Sequence, residues 1–331
     1  MATIKDVAAR ASVSIATVSR IINQKGKYTK ETETLVLKAA EELGYIPNLT
    51  AKSLKTGLTG TIAIVIHEFF LINYPVLLAT AIAVLQREDY NAQIIANADL
   101  GDCIRLLHTG KFDGLLIVGI KNEEHALRNL IGSGSNFVVL GEGIEREDVN
   151  VVEIDYFQGG YVATQHLINF GHENILFIED NEDLSFTQEI KRGYLFALDE
   201  NGIQYKEQLL IRCGGMTGEL NGYNTIKDVV RETDFSAVLT TDDRIAYGSL
   251  KALKEEGYTV PKDRSIIGFG DLSCSAYIDP PITSVEIPFS QTGELGAEIL
   301  VNNIKRKDSI VKRVKLQVRL VPRKTHSKKL T

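Results

Sequence analysis

The sequence predicts an α/β protein: a three-helix N-terminal headpiece holding a helix-turn-helix, a hinge, and a two-lobed body of doubly wound parallel sheets. Three observations carry this expectation. Apolar residues recur at helical spacing through the first 46 residues. Residues 47–60 lose that pattern and are punctuated by Pro47, Gly57 and Gly60. From Thr61 onward, short apolar runs alternate with helical segments, as parallel strands joined by crossover helices do.

The headpiece elements follow in order. Thr3 with Asp6 is a capping signal, and Ile4, Val7, Ala8 and Ala11 give the first helix its apolar spacing. Val13 lies in the turn. Ser14 caps a second helix whose Val18, Ile21 and Ile22 face inward. Thr29 caps a third, with Leu35, Val36, Ala39, Ala40 and Leu43 as its apolar stripe and Gly44 as its stop. The segment from Asn48 to Lys55 is polar and basic with spaced leucines, which reads as a linker.

In the body the strand candidates are Ile62–Ile66, Ala92–Ala96, Gly114–Val118, Phe137–Leu140, Val151–Ile154, Ile175–Ile178, Ala237–Leu239 and Ser265–Phe269. Helical patterns fill the gaps, among them Tyr156–Phe170, Thr187–Asn201 and Asp243–Glu256. So many units imply two lobes with a cleft between strand ends. The expected division is a headpiece at 1–46, a hinge at 47–60 and an effector-binding and dimerisation body at 61–331.

Composition narrows the function. No apolar run reaches the ~18 residues of a membrane helix, and the first residues lack the apolar stretch of a secretory signal. Cys103, Cys213 and Cys274 are widely spaced, which suits reduced thiols in a cytoplasmic protein. The net charge of −6 is unevenly placed. Residues 1–60 hold nine Lys/Arg against five Asp/Glu, and residues 312–331 hold eight Lys/Arg and no acid. Residues 61–311 therefore carry −18. A basic head on an acidic body turns the head toward phosphate. The basic tail reads as a solvated charge run.

Residues 4–23 have the chemistry of a DNA-reading motif. Ala8 is small where two helices approach, and Ala11-Ser12-Val13 forms the tight turn, with Ser12 where glycine would fit better. Ser14, Ile15, Ala16, Thr17 and Ser19 keep the start of the second helix slim enough for a major groove, and Arg20 reaches a base or phosphate one turn on.

The segments Thr3-Ile4-Lys5-Asp6-Val7-Ala8, Ala16-Thr17-Val18-Ser19-Arg20-Ile21-Ile22-Asn23, Leu43-Gly44-Tyr45-Ile46-Pro47-Asn48 and Ala51-Lys52-Ser53-Leu54 resemble the LacI/GalR family of bacterial repressors. So do Gly171-His172-Glu173-Asn174-Ile175, Arg192-Gly193-Tyr194, Ile266-Ile267-Gly268-Phe269 and Pro280-Pro281-Ile282-Thr283-Ser284-Val285. The resemblance implies a periplasmic-binding-protein-like body, a homodimer on a palindromic double-stranded operator, and a small-molecule effector such as a sugar. It implies repression of a carbohydrate-utilisation operon and no cofactor. DNA contacts would come from Thr3, Ser14, Ile15, Ala16, Thr17, Ser19, Arg20, Asn23, Tyr45, Asn48, Ala51, Lys52 and Leu54. Leu54 would wedge into the minor groove. Effector contacts would come from Tyr74, Ile190, Asp242, Gly270 and Asp271.

Three of those effector positions depart from the pattern. Ile190 replaces a typical arginine, Gly270 a typical aspartate, and Asp242-Asp243 a common Asn-Asp pair. Isoleucine cannot hold vicinal hydroxyls as a guanidinium does, so a non-sugar effector or a protein corepressor is the alternative reading. The corepressor reading needs a basic face on Thr292–Lys305, and that segment carries Glu294 and Glu298. An enzyme is not indicated: no nucleophile turn or phosphate loop is present, and Gly268-Phe269-Gly270 lacks the third glycine of a dinucleotide fingerprint. His172 reads as a structural residue ahead of a strand. A solute receptor would share the two lobes but not the head.

Leu54→Ala is expected to weaken operator binding by ~1–3 kcal/mol while sparing non-specific affinity, because only a kinked site uses the wedge. Gel shift and DNA-bending assays check this, and an unchanged bend would remove the wedge from the mechanism.

Overall fold

The computed structural model describes residues 2–22, 26–45, 57–66, 75–96, 100–119, 124–141, 144, 146–180, 185–214, 218–306 and 310–329. Asn23, Asn48, Ala51, Lys52, Leu54 and Tyr74 lie outside the described residues. The chain separates into two units, Met1–Gly60 and Thr61–Thr331.

The first unit contains α1 (Ile4–Arg10), α2 (Ile15–Ile22) and α3 (Lys30–Glu42). Val7, Ala8, Ala11, Val18, Ile21, Val36 and Ala39 form its core, with Tyr28, Ala40, Leu43 and Tyr45 packed at the margin. Leu35 departs from the expected stripe and is 56% exposed. One residue along a helix turns by about 100°, and Val36 holds the inward place. Arg10 and Glu42 link α1 to the end of α3 at 2.5 Å, on the surface.

In the second unit, β1 (Thr61–Ile66), β2 (Asn91–Ala96), β3 (Gly114–Val118), β4 (Phe137–Leu140), β5 (Val151–Ile154) and β11 (Arg313–Leu316) form one sheet. Its order is β11-β5-β4-β3-β1-β2, and every pair is parallel. The other sheet joins β6 (Ile175–Glu179), β7 (Leu210–Arg212), β8 (Ala237–Thr240), β9 (Ser265–Gly270), β10 (Thr283–Glu286) and β12 (Arg319–Val321). Its order is β12-β10-β9-β8-β6-β7, parallel except where β12 runs against β10.

Successive strand residues point to opposite faces, so a sheet covered on both sides must be apolar throughout. In the first sheet Ala63, Val65, Leu115 and Ile117 pack with Leu100, Cys103 and Ile104 of α5 (Leu100–His108) and with Leu127 and Leu130 of α6 (Glu124–Gly132). Ile62, Ile64, Leu116 and Val138 face Leu77, Leu78, Ala81 and Leu85 of α4 (Pro75–Arg87) and Ala297 and Leu300 of α11 (Phe289–Arg306). The second sheet is flanked by α7 (Tyr156–Asn169) and α8 (Ser185–Glu200) on one face. On the other lie α9 (Gly218–Val229) and α10 (Asp243–Glu255). A Cβ on Gly160 would collide with the Ile190 carbonyl, and one on Gly193 with that of Phe157. The α7–α8 pair therefore packs backbone against backbone.

The tail corrects the expectation of a solvated charge run. Residues 313–316 and 319–321 supply one strand to each sheet. Thr325 is fully buried and pins β9 twice: its carbonyl accepts from Ile266 N at 2.7 Å, and its hydroxyl donates to the Ile266 carbonyl at 2.7 Å. Ser327 N donates to Ser265 Oγ at 3.1 Å, and Lys329 N to the Phe170 carbonyl at 2.9 Å. Short hydroxylated side chains between the charges allow this seating, because they satisfy buried backbone groups that water would otherwise serve.

The same tail closes over His166 and His172 and adds a third histidine, His326. His166 lies 4.5 Å from His326, ring to ring, and 4.6 Å from Phe170. His172, expected to be structural, bonds Ser236 Oγ at 2.9 Å and the Ser327 carbonyl at 3.0 Å. Burial, with the neighbouring His326, lowers His166 to about 4, and burial also lowers His172 and His326. A depressed folded pKa gives stability that is present above the unfolded value of 6.5 and lost as pH falls toward about 4. Urea unfolding between pH 7.5 and pH 4.5 should show that loss. His166→Phe should flatten it by on the order of 1 kcal/mol or more, and an unaltered pH profile in the variant would contradict the assignment.

Candidate DNA interface and effector crevice

The headpiece turn is built on Ser12, which adopts the left-handed φ of +54°. That conformation lets α2 depart sharply from α1, at the position where the sequence suggested glycine would fit better. Thr3 N and Thr3 Oγ1 both donate to Asp6 Oδ2, at 2.8 and 2.7 Å, and hold the Asp6 carboxyl below its usual range. Ser14 caps α2 by accepting from Thr17 N at 3.1 Å, and the two hydroxyls meet at 2.9 Å.

The outward face of α2 is then fixed. Val18 and Ile21 are buried, while Ser14, Ile15, Ala16 and Arg20 are exposed, with Ile15 at 46%. Thr17 and Ser19 are half-buried at the edge of the same face, and Thr3 is exposed at the head of α1. Arg20 makes no ion pair among the described residues. Tyr45 is partly packed against the headpiece core, with its N donating to the Ala40 carbonyl at 2.8 Å. Slim side chains at the start of α2, with Arg20 exposed in its last turn, suit major-groove entry.

In the body, strands β6 to β10 run parallel, so their C-terminal ends share one edge. In open α/β sheets ligands lie beyond such ends. There Glu179, fully buried, receives Lys191 Nζ at 2.9 Å and Arg212 Nε at 3.2 Å. Next to it, Asp180 accepts from Asn221 Nδ2 at 3.1 Å, and its N donates to Thr241 Oγ1 at 3.0 Å. Asp242 caps α10, accepting from Arg244 N at 2.8 Å and Arg244 Nε at 3.0 Å. Gly270 has φ +123°, and Asp271 (φ +50°) pairs with Arg323 at 2.6 Å.

The expected effector residues are therefore only partly gathered. Asp242, Gly270 and Asp271 meet at this edge. Ile190 does not join them as an open side chain: it is fully buried with Phe186, Tyr194 and Phe269, since an apolar residue on α8 gains more in the core than at a charged edge. Sequence reasoning missed Glu179, Asp180, Arg212 and Arg244. Lys191, close to Ile190, supplies a cation to Glu179, whereas Arg192 turns outward to Glu189. The Glu179–Arg212 pairing depends on the β6–β7 register, where these two residues stand opposite each other.

Asp243, one residue beyond the cap, is wholly buried. It accepts from Ser284 Oγ at 2.5 Å, Ser275 Oγ at 2.5 Å and Leu272 N at 2.7 Å. It thereby ties α10 to the segments after β9 and in β10. A Cβ on Gly268 would collide with it. Burial pushes the carboxyl up to about 7 despite those three donors.

Residues 3–48 match the family described as bacterial regulatory proteins, lacI family, and residues 164–326 match a periplasmic binding protein-like domain. The chain is 31% identical to the HTH-type transcriptional repressor PurR of Photobacterium profundum, covering 98% of each. It is 34% identical to the HTH-type transcriptional regulator RegA of Clostridium acetobutylicum, covering 92% of this chain and 93% of that one. Among solved structures, the transcriptional regulator CelR–cellobiose complex superposes with a TM-score of 0.73 at 27% identity, covering 98% and 100%. The lac repressor dimer bound to operator and the anti-inducer ONPF superposes at 0.85 with 23% identity, covering 98% and 99%, a likeness of fold.

Asp243 carries a testable sign. A carboxyl raised from 3.8 to about 7 binds its proton more tightly folded than unfolded, so its stabilising contribution is full below pH 4 and is lost as pH rises to about 7. The histidines titrate in the opposite sense over the same window. The stability difference between wild type and Asp243→Asn should therefore fall by on the order of a few kcal/mol between pH 4 and pH 7 and be flat above it. A difference independent of pH, read from urea unfolding, would mean the carboxyl stays ionised.

Proposed function

The chain belongs to the LacI family of bacterial regulatory proteins and is a helix-turn-helix transcriptional regulator; from that premise we propose that it represses transcription in the cytoplasm as a dimer on a palindromic operator, with affinity set by a small effector. The observation that carries this reading is the exposed face of α2, launched by the left-handed Ser12 turn. One headpiece offers too few phosphate contacts for tight binding, so two half-sites are needed. On this reading Ile15 and Ala16 read thymine methyls, Arg20 and Asn23 add polar contacts, and Thr3, Ser14, Thr17, Ser19 and Tyr45 position the backbone. Asn48, Ala51, Lys52 and Leu54 belong to the hinge, so that the division into 1–46, 47–60 and 61–331 is also one of roles.

The effector sits at the C-terminal strand edge of the body, where Asp180, Asp242 and Asp271 alternate with Arg212, Arg244 and Arg323. A relative solved with cellobiose supports a sugar-like ligand. A second reading is favoured by buried Ile190 and by Gly270, which leave two expected charged anchors missing: an effector that is not a simple unphosphorylated sugar. The chain acts by binding and not by catalysis.

Selection from randomised sites tests the first part. Ala16→Gln should shift preference at one or two symmetric positions and leave non-specific binding intact, whereas an unshifted preference would place the readout elsewhere. For the effector, simple sugars should change wild-type operator affinity by less than the ~1–3 kcal/mol typical of allosteric coupling. A larger response would restore the simple-sugar reading.

A further inference from the structure

The far end of the second sheet, where β6, β8 and β9 begin, holds a cavity of about 340 Å³. This edge is opposite to the effector crevice. Its walls come from the entry to β6 (His172, Asn174), the entry to β8 (Asp234 to Ser236), the turn before β9 (Lys262 to Arg264) and Lys329 of the tail. Four separate chain segments therefore converge on it, and the volume is enough for a small ligand.

The charges around this cavity are unbalanced by geometry. Both acids are engaged: Asp234 accepts from Asn174 Nδ2 at 2.7 Å, and Asp263 accepts from Thr259 N at 2.7 Å. None of the three cations, Lys262, Arg264 and Lys329, forms an ion pair among the described residues. Arg264 is the most constrained. Its guanidinium lies 5.2 Å from the Phe235 ring centre and 4.7 Å from that of Tyr258. Two aromatic rings flank the guanidinium and restrict where it can move. Its Nη1 donates to the Asp263 carbonyl at 2.9 Å, and its Nε is buried without an acceptor among the described residues. Buried donors of this kind ordinarily have partners. A guanidinium held between two rings, lining one cavity with two lysines, suits the oxygens of a phosphate group.

The geometry points to a second ligand site in this cavity, for a small molecule bearing a phosphate group, gripped by Arg264 with Lys262 and Lys329. Such a ligand would tie the tail to the starts of three strands. Its chemistry is that of inorganic phosphate, pyrophosphate or a phosphorylated metabolite.

Titration calorimetry on the full chain at fixed ionic strength tests the site, with inorganic phosphate, pyrophosphate and glycerol phosphate as separate probes. Saturable binding of at least one probe is expected, weakened about tenfold by Arg264→Gln, because a bidentate charged contact is lost. Arg105→Gln, a surface change on α5, should leave it unaltered. Response to phosphate alone identifies a free anion as the source, and response only to the organic probe identifies a metabolite. Should Arg264→Gln fail to fold, the exposed pair Lys262→Gln with Lys329→Gln carries the test and should weaken binding several-fold. The site is refuted by absence of saturable binding to any probe, or by binding that survives both variants, which would place the anion in the effector crevice.

Discussion

Parallel pairing is the constraint on which the body depends. A parallel strand can be reached only by a crossover, and the crossover helices cover both sheet faces. Strands such as Gly114–Val118 and Ile175–Glu179 are buried along their whole length, and the one charged residue in them, Glu179, stands at a strand end. Charged and polar groups are pushed to strand ends. Glu179, Asp242 and Asp271 all stand at or just past a C-terminal end, and Asp234 and Arg264 at an N-terminal entrance. Two chemically distinct edges arise from one topological rule, and the crevice and the cavity described above are its two products.

The lobes are also bound by how the chain travels. It passes from the first sheet to the second after β5, returns through α11 after β10, and crosses once more between β11 and β12. A change in lobe angle must be absorbed by those three crossings. Asp243 sits near the second of them, bonded to Ser284 of β10 and to the loop after β9. A carboxyl whose charge state is poised near neutrality at such a place couples local protonation to the seating of β9 against β10.

Much of this was legible because the signals are local. Apolar runs marked eight strands within a residue or so of their ends, and the headpiece declared itself through Thr3, Ser14 and Thr29 caps three residues from their partners. What stayed hidden depends on distance along the chain. Arg313–Leu316 alternates cations with apolar residues and Arg319–Val321 opens on one, so both read as a charged tail, since nothing in the sequence states that β5 and β10 each have an open edge. Leu210–Arg212 is too short to show a period. Ile190 was placed by its neighbours in sequence, and the core claimed it. The pairing of Glu179 with Arg212 needed the β6–β7 register, which only the folded sheet supplies. Leu35 shows the smaller failure, in which adjacent leucine-type residues compete for one inward position.

The tail has a consequence for biosynthesis. Chains grow from the N-terminus, and units tend to fold as they emerge. The helices of residues 4–42 can complete their own core early, before any part of the body exists. The body cannot follow lobe by lobe, because residues made after both lobes finish both halves: 313–316 edge the first sheet, and 319–329 edge and clamp the second. Each half waits on residues 313–321 with a strand edge unsatisfied. A chain cut short before residue 313 would carry the headpiece on a body lacking one strand from each sheet, a species able to engage phosphate but exposed to edge-to-edge association.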